Sequence, residues 1–307
     1  MIAVRNIVKS FGSVMAVDGL SFSVQQGEIV GLLGPNGAGK TTTMRMMTGF
    51  LSPDLGTVTV DDINIATDSI AAQSHIGYLP ENNPLYKDML VSEFLSFVAN
   101  ARSLQGEKRR ECMDFAVKST TISDVFYRPI GELSKGYKQR VGMAAAILHR
   151  PDVLIMDEPT EGLDPNQRNE VRHLIKKLAK DHTIILSTHV MQEVEAVCER
   201  IIIINRGKLV ADGTPEKLRS GIKGTGVIVT LEGTSVIAEL KSVKGVKSVE
   251  TIGKSGNKLD IRIVTETKTK IQPELTRLAG KHKWTIWKLT EEQQNLEEVF
   301  QKLTRGD

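Results

Sequence analysis

An apolar run, Gly27–Leu33 (GEIVGLL), leads directly into Gly34-Pro-Asn-Gly-Ala-Gly-Lys40-Thr41, and no other stretch constrains the fold as tightly. The segment fits G-x-x-x-x-G-K-[ST], a loop whose glycines let the backbone curl until successive N–H groups face one anion. Such a nest works with a strand feeding it and a helix leaving it, because the helix N-terminus adds further amides and a favourable dipole. The spacing therefore predicts a buried strand ending at Leu33 and a helix from Lys40. Gly34, Pro35, Asn36, Gly37, Ala38, Gly39, Lys40, Thr41 and Thr42 are the expected phosphate contacts. Lys40 is placed to reach the β- and γ-phosphates of a nucleotide, and the Thr41 hydroxyl to ligate Mg²⁺. A glycine-rich turn fitting the pattern by chance is the bland alternative, and the flanking patterns argue against it.

Two more buried strands follow, Pro151–Met156 (PDVLIM) and Thr183–Ser187 (TIILS). Between them Val171, Leu174, Ile175 and Leu178 recur at helical spacing. Strands alternating with helices predict an α/β domain with a mainly parallel sheet. Ala3–Val8, Leu20–Val24 and Thr57–Val60 read instead as a small antiparallel layer, and residues 91–150 as a helical insertion. This core is expected over 1–220. Crowded glycines at 221–226 (GIKGTG) mark a linker. Over 227–307, strands at Val227–Leu231, Lys247–Ile252, Leu259–Ile263 and Trp284–Leu289 with helices near Val236–Val243 and Lys270–Gly280 give βαββαβ, a ferredoxin-like α+β order. Leu296, Val299, Phe300 and Leu303 predict a closing amphipathic helix.

Asp157 ends the run Val153–Met156, so its carboxylate is expected at the carboxyl end of a buried strand, where ligands of open α/β sheets collect. It is a candidate Mg²⁺ ligand. Glu158 follows and is placed to polarise an attacking water. His189 ends the next strand, where an imidazole reaches the γ-phosphate or the water; alone it would read as structural. The formal charge of +3 over 307 residues gives no basic footprint for nucleic acid, and none is expected. Cys112 and Cys198 have no metal or redox spacing and are expected as reduced thiols on helices. No run approaches the about 18–20 apolar residues that span a bilayer, and Arg5 and Lys9 interrupt any signal peptide. A soluble chain is expected.

Together these residues resemble the ATP-binding subunit of ABC transporters. Leu133-Ser-Lys-Gly-Tyr-Lys-Gln-Arg140 is similar to the family signature, Gly162-Leu163-Asp164 to its D-loop, and Ser187-Thr188-His189 to its switch histidine. The resemblance covers roughly Met1–Gly221 and implies a P-loop NTPase core that hydrolyses ATP with Mg²⁺. It further implies a head-to-tail homodimer sandwiching two nucleotides. Lys40, Thr41, Asp157, Glu158 and His189 of one subunit would face Ser134 and Gly136 of the other, and Phe11 would stack on the adenine. An integral membrane permease would be the partner, with this subunit peripheral on the cytoplasmic face of the inner (plasma) membrane.

Two positions depart from the family pattern. Its usual Gln in the loop after the first core helix is matched here by Glu81, in Ile76-Gly-Tyr-Leu-Pro80-Glu81; a carboxylate still ligates Mg²⁺ or a water but adds charge. Lys135 and Tyr137 stand in the signature where Gly and Gln are commonest. With Leu296-Glu-Glu-Val-Phe300, these variants resemble the exporter branch for drugs, polysaccharides and gliding motility. The helical insertion and the loop after Glu81, with Leu85 and Tyr86, are the expected docking surface. His282, Trp284 and Trp287 read as packing residues of a dimerising or regulatory domain. The rival readings, an ATPase acting on ribosomes or DNA and a sensor without turnover, are disfavoured by the single signature, the absence of a long heptad run, and the presence of Glu158 with His189.

Overall fold

A computed structural model describes residues 2–220, 226–265, 271–292 and 296–305. The chain divides into two compact units, Met1–Pro215 and Glu216–Asp307. The first opens with β1 (Ile2–Phe11) and β2 (Val14–Val24), then β3 (Ile29–Leu33) and α1 (Lys40–Met47). There follow β4 (Leu55–Val60), β5 (Ile63–Asn64), α2 (Ser69–Ser74) and β6 (Ile76–Leu79). The helical stretch holds α3 (Val91–Ala101), α4 (Gly106–Thr120) and α5 (Lys135–Ile147), with two short 3₁₀ turns before α5. The chain then runs through β7 (Val153–Asp157), α6 (Pro165–Leu178), β8 (Thr183–Thr188), α7 (Met191–Val197), β9 (Arg200–Asn205) and β10 (Lys208–Gly213), and α8 (Pro215–Ser220) leads into the second unit. None of the described helices is long and apolar enough to cross a membrane.

The main sheet has the order β10-β9-β3-β8-β7-β6. All its pairs are parallel except the edge strand β10, which runs antiparallel to β9. Every residue of β3, β7 and β8 is buried, and their centres read as continuous apolar runs rather than alternating ones. A second sheet, β2-β1-β4-β5, is antiparallel throughout. Its Ile2, Val4, Leu20, Val58 and Val60 pack with Met44, Met46 and Met47 of α1 and with Val30 and Leu32 of β3 in one core. On α6 the four positions at helical spacing, Val171, Leu174, Ile175 and Leu178, are all buried. Each contributes about 1.5–3 kcal/mol of burial free energy.

The second unit holds β11 (Gly226–Glu232), α9 (Val236–Lys241), β12 (Val246–Ser255), β13 (Lys258–Thr265), α10 (Gln272–His282), β14 (Thr285–Glu292) and α11 (Leu296–Arg305). Its sheet, β12-β13-β11-β14, is antiparallel, the strand order of a ferredoxin-like fold. The end strand β12 carries register shifts between Val246 and Ser248 and between Thr251 and Gly253. Val227, Val229, Leu231, Leu240, Ile261, Ile263 and Leu275 form its core.

Several expectations need correction. Gly226 is not linker but the first residue of β11, paired with Val264; residues 221–225 of the expected linker lie outside the described residues. Cys112 and Cys198 are free and buried, but Cys198 sits one residue beyond the end of α7 in extended backbone. Trp284 packs as expected, stacked on His282 at 5.1 Å with its indole N–H donated to the Thr234 carbonyl. Trp287 does not: it is 56% exposed, with the Lys258 ammonium 3.4 Å from its ring centre. Leu296 is buried, whereas the side chains of Val299 and Leu303 lie outside the described residues.

Candidate active site

The carboxyl edge of the parallel sheet gathers the site. β3 delivers the glycine loop, β6 leads to Glu81, β7 ends in Asp157 with Glu158 next, and His189 follows β8. A cavity of about 240 Å³ there is lined by Asn36, Gly37, Ala38, Lys40, Thr41, Thr42, Glu81, Glu158 and Glu161. Gly39 has φ +102°, and a Cβ there would run into the Ala16 carbonyl, so only glycine fits. The same residue caps α1 without any side-chain hydrogen bond, and the first turn holds no acid. Neither a capping side chain nor a first-turn carboxylate competes with an anion for those amides.

Lys40 is buried, its ammonium donating to the carbonyls of Gly34 at 2.8 Å and Pro35 at 3.2 Å, with Glu158 3.7 Å away. The cation is thus held at the loop by weak neutral acceptors and one carboxylate. Glu158 takes a left-handed backbone, φ +46°, immediately after β7. A non-glycine residue there stores strain, and the turn aims its buried carboxylate into the cavity. His189 Nδ1 lies 3.1 and 3.2 Å from the two Glu158 oxygens. The carboxylate only accepts, so Nδ1 carries the proton in this pairing.

Asp157 is fully buried. One of its oxygens accepts the Ser187 hydroxyl, and Ser187 Oγ in turn accepts the Glu158 N–H at 3.0 Å. The other, Oδ2, has no hydrogen-bond partner among the described residues. An orphaned buried carboxylate oxygen costs free energy unless something cationic reaches it. The Thr41 hydroxyl and Glu81 line the cavity while Asp157 does not, and the three would supply oxygens of the kind that suits Mg²⁺.

Glu81 bears the strain of that set. Its carboxyl is raised above the ordinary range, first by burial and then by Glu161, Asp157 and Glu158, with Lys40 opposing. A carboxyl raised on folding favours the native state in acid, and that relative stability is lost as pH rises from the unfolded value through the folded one. Glu81→Gln should therefore raise the thermal unfolding midpoint near neutral pH, measured without nucleotide, and lose that advantage in acid.

Of the expected contacts, Gly34, Pro35, Gly39, Asp157 and His189 do not line this cavity, and Ser134 and Gly136 are expected from a second copy. Phe11 ends β1, 51% exposed, and does not line the cavity. Ser134 and Gly136 start α5, Ser134 capping it by accepting the Tyr137 N–H at 3.3 Å. Neither lines the cavity of its own chain. Sequence reasoning missed Glu161, which turns back on Glu158 through an N–H to carbonyl bond of 3.1 Å. Its position three residues after Glu158 was the available signal. Ser187 was noticed only as a neighbour of His189.

Residues 17–161 match the family described as ABC transporter. The linearmycin resistance ATP-binding protein LnrL of Bacillus subtilis is 34% identical over 307 residues, covering 99% of this chain and 98% of its own length. Nod factor export ATP-binding protein I of a Rhizobium species is 34% identical over 306 residues, covering 99% and 96%. Among solved structures, an ATP-binding subunit of an ABC transporter superposes with TM-score 0.65 at 27% identity, over 72% of this chain and 92% of that one. The ADP conformation of an ABC transporter cassette gives TM-score 0.64 at 27% identity, over 71% and 92%.

Proposed function

This chain belongs to the ABC transporter family as an ATP-binding, ATP-hydrolysing subunit, and we propose that two copies close head to tail around two nucleotides to drive a membrane-embedded exporter. The observation carrying the catalytic reading is the convergence of Lys40, Glu158 and His189 beside the buried, half-satisfied Asp157.

The loop amides and Lys40 hold the phosphates, and the ammonium exchanges the Gly34 and Pro35 carbonyls for phosphate oxygens. Thr41, Asp157 and Glu81 would hold Mg²⁺, which when bound offsets charge on the β- and γ-phosphates. Glu158 takes the proton of the attacking water, and His189, donating from Nδ1, keeps its carboxylate aimed. Ser134 and the amides near Gly136 complete the site from the second copy; α5, like α1, has no acid in its first turn. Closure and catalytic assembly are then one event. Phe11, on the rim strand, is assigned to the adenine.

Coupling runs through the loop after Glu81. Asn83 donates to the Lys138 carbonyl of α5 at 2.8 Å, tying this loop to the helix that carries Ser134. Beside it a groove of about 530 Å³ is lined by Arg45, Phe50, Pro80, Pro84 and Val98. Phe50 is 76% exposed and Tyr86 54%, and Tyr86 meets the exposed Phe97 edge-on at 5.7 Å. Exposed apolar area of this kind suits a partner's helix. The full-length relatives are named for linearmycin resistance and Nod factor export, which supports an exporter at the cytoplasmic face of the membrane.

The test is capture from detergent-solubilised membranes. Tagged wild-type chain should bring down a multi-span protein in equal stoichiometry. Tyr86→Asp should lose that partner while the isolated chain hydrolyses ATP as before. Ribosomes or DNA in place of a membrane protein would overturn the exporter reading and leave the chemistry standing.

A further inference from the structure

The main site leaves one buried carboxylate unused. Glu193 lies on α7, outside the cavity lining, and is 6% exposed. Its Oε2 accepts the hydroxyl of Thr160 at 2.5 Å and that of Thr188 at 3.0 Å. Its Oε1 faces the guanidinium groups of Arg168 at 3.7 Å and Arg172 at 3.8 Å, both on α6. A buried charge this well surrounded is costly to leave half-paired, so its partners are held in place.

What those partners are gives the arrangement its meaning. Thr160 is two residues beyond Glu158, and Thr188 directly precedes His189. Thr188 Oγ1 also accepts the Val190 N–H at 3.0 Å, fixing the backbone on the far side of His189. Arg168 donates to the Leu163 carbonyl at 3.2 Å, within the turn that ends at Asp164. The ends of β7 and β8 are therefore tied twice, once by Ser187 through Asp157 and Glu158, and once by Glu193 through the two threonines.

We infer that Glu193 is a positioning residue for hydrolysis: its buried carboxylate holds the Glu158 and His189 segments in mutual register and links both to the turn at Leu163. It does not line the phosphate cavity. Glutamine cannot replace it, because the two oxygens serve opposite partners. With the amide oxygen toward the threonines, the NH₂ group meets two guanidinium groups; flipped, the Thr160 and Thr188 hydroxyl protons lose their acceptor, and in either orientation Arg168 and Arg172 lose the charge they face. The Glu158–His189 geometry then loosens, and a catalytic pair is sensitive to small displacements.

This inference rests on the hydrolytic reading of Glu158 and His189. The experiment compares wild type, Glu193→Gln and Thr188→Val for steady-state turnover, equilibrium ATP binding and thermal midpoint. Glu193→Gln should lower kcat about tenfold, equivalent to about 1.4 kcal/mol, at unchanged ATP affinity and with a lowered midpoint, since the partners of a buried charge lose it. Thr188→Val should lower kcat in the same manner, and the double variant should lose little more than Glu193→Gln, since both substitutions disturb the Thr188–Glu193 hydrogen bond. Should Glu193→Gln fail to fold, Thr188→Val alone carries the test. Wild-type kcat in the folded variants, or losses of turnover, affinity and midpoint in step, would overturn the inference while wild-type turnover keeps the main reading. A wild-type chain without turnover would overturn both.

Discussion

Glu158→Gln should slow ATP hydrolysis by about a thousandfold, equivalent to about 4 kcal/mol, while leaving nucleotide binding intact. The substitution keeps the side chain's shape and the strained φ of +46°, so the fold has little reason to change. What it removes is the basic oxygen that takes the water's proton. It also removes one of the carboxylates facing the phosphate cavity, which favours retention of a tetra-anionic ligand. The variant should accumulate as an ATP-bound dimer. Phosphate-release kinetics beside light scattering with and without ATP reads both effects, and turnover at the wild-type rate would strip Glu158 of its role.

Lys40→Ala should act earlier, weakening ATP binding about a hundredfold, or about 2.7 kcal/mol. Lys40 is the cation inside the loop, bonded to Gly34 and Pro35 and 3.7 Å from Glu158. Without it, Glu81, Glu158 and Glu161 face the phosphates unopposed from the cavity wall. Equilibrium binding of a fluorescent nucleotide distinguishes the two variants: affinity kept in Glu158→Gln, lost in Lys40→Ala. Equal affinity in both would place the phosphates elsewhere.

The strand, glycine loop and helix were legible because each depends on local chemistry: apolar residues through Leu33, backbone freedom at Gly39, an unprotected helix start at Lys40. Asp157, Glu158 and His189 were legible because a polar residue ending a buried apolar run has one place to go in a parallel sheet. The rest needed contacts distant in sequence. Nothing near Glu193 says that Thr160 shares its oxygen with Thr188, 33 and 5 residues away. Glu161 carries no pattern of its own, and only the turn's N–H bond to the Glu158 carbonyl brings it to the cavity wall. Trp287 illustrates the opposite failure: an aromatic in an alternating strand suggests core, yet the alternation alone does not say which face is covered.

The register shifts in β12 bear on how the C-terminal unit behaves at high concentration. β12 is an end strand of its sheet, and an end strand offers a template on which another chain can add itself and propagate. The two shifts interrupt that template, and bulged strands twist away from a flat approach. Lys247, Glu250 and Lys254 stand exposed along the same strand, so an incoming strand would meet mixed charge as well as a broken ladder. Aggregation by strand addition is thereby discouraged along this edge, and a chain that must remain dispersed when unattached to its membrane partner carries its own safeguard against fibre growth.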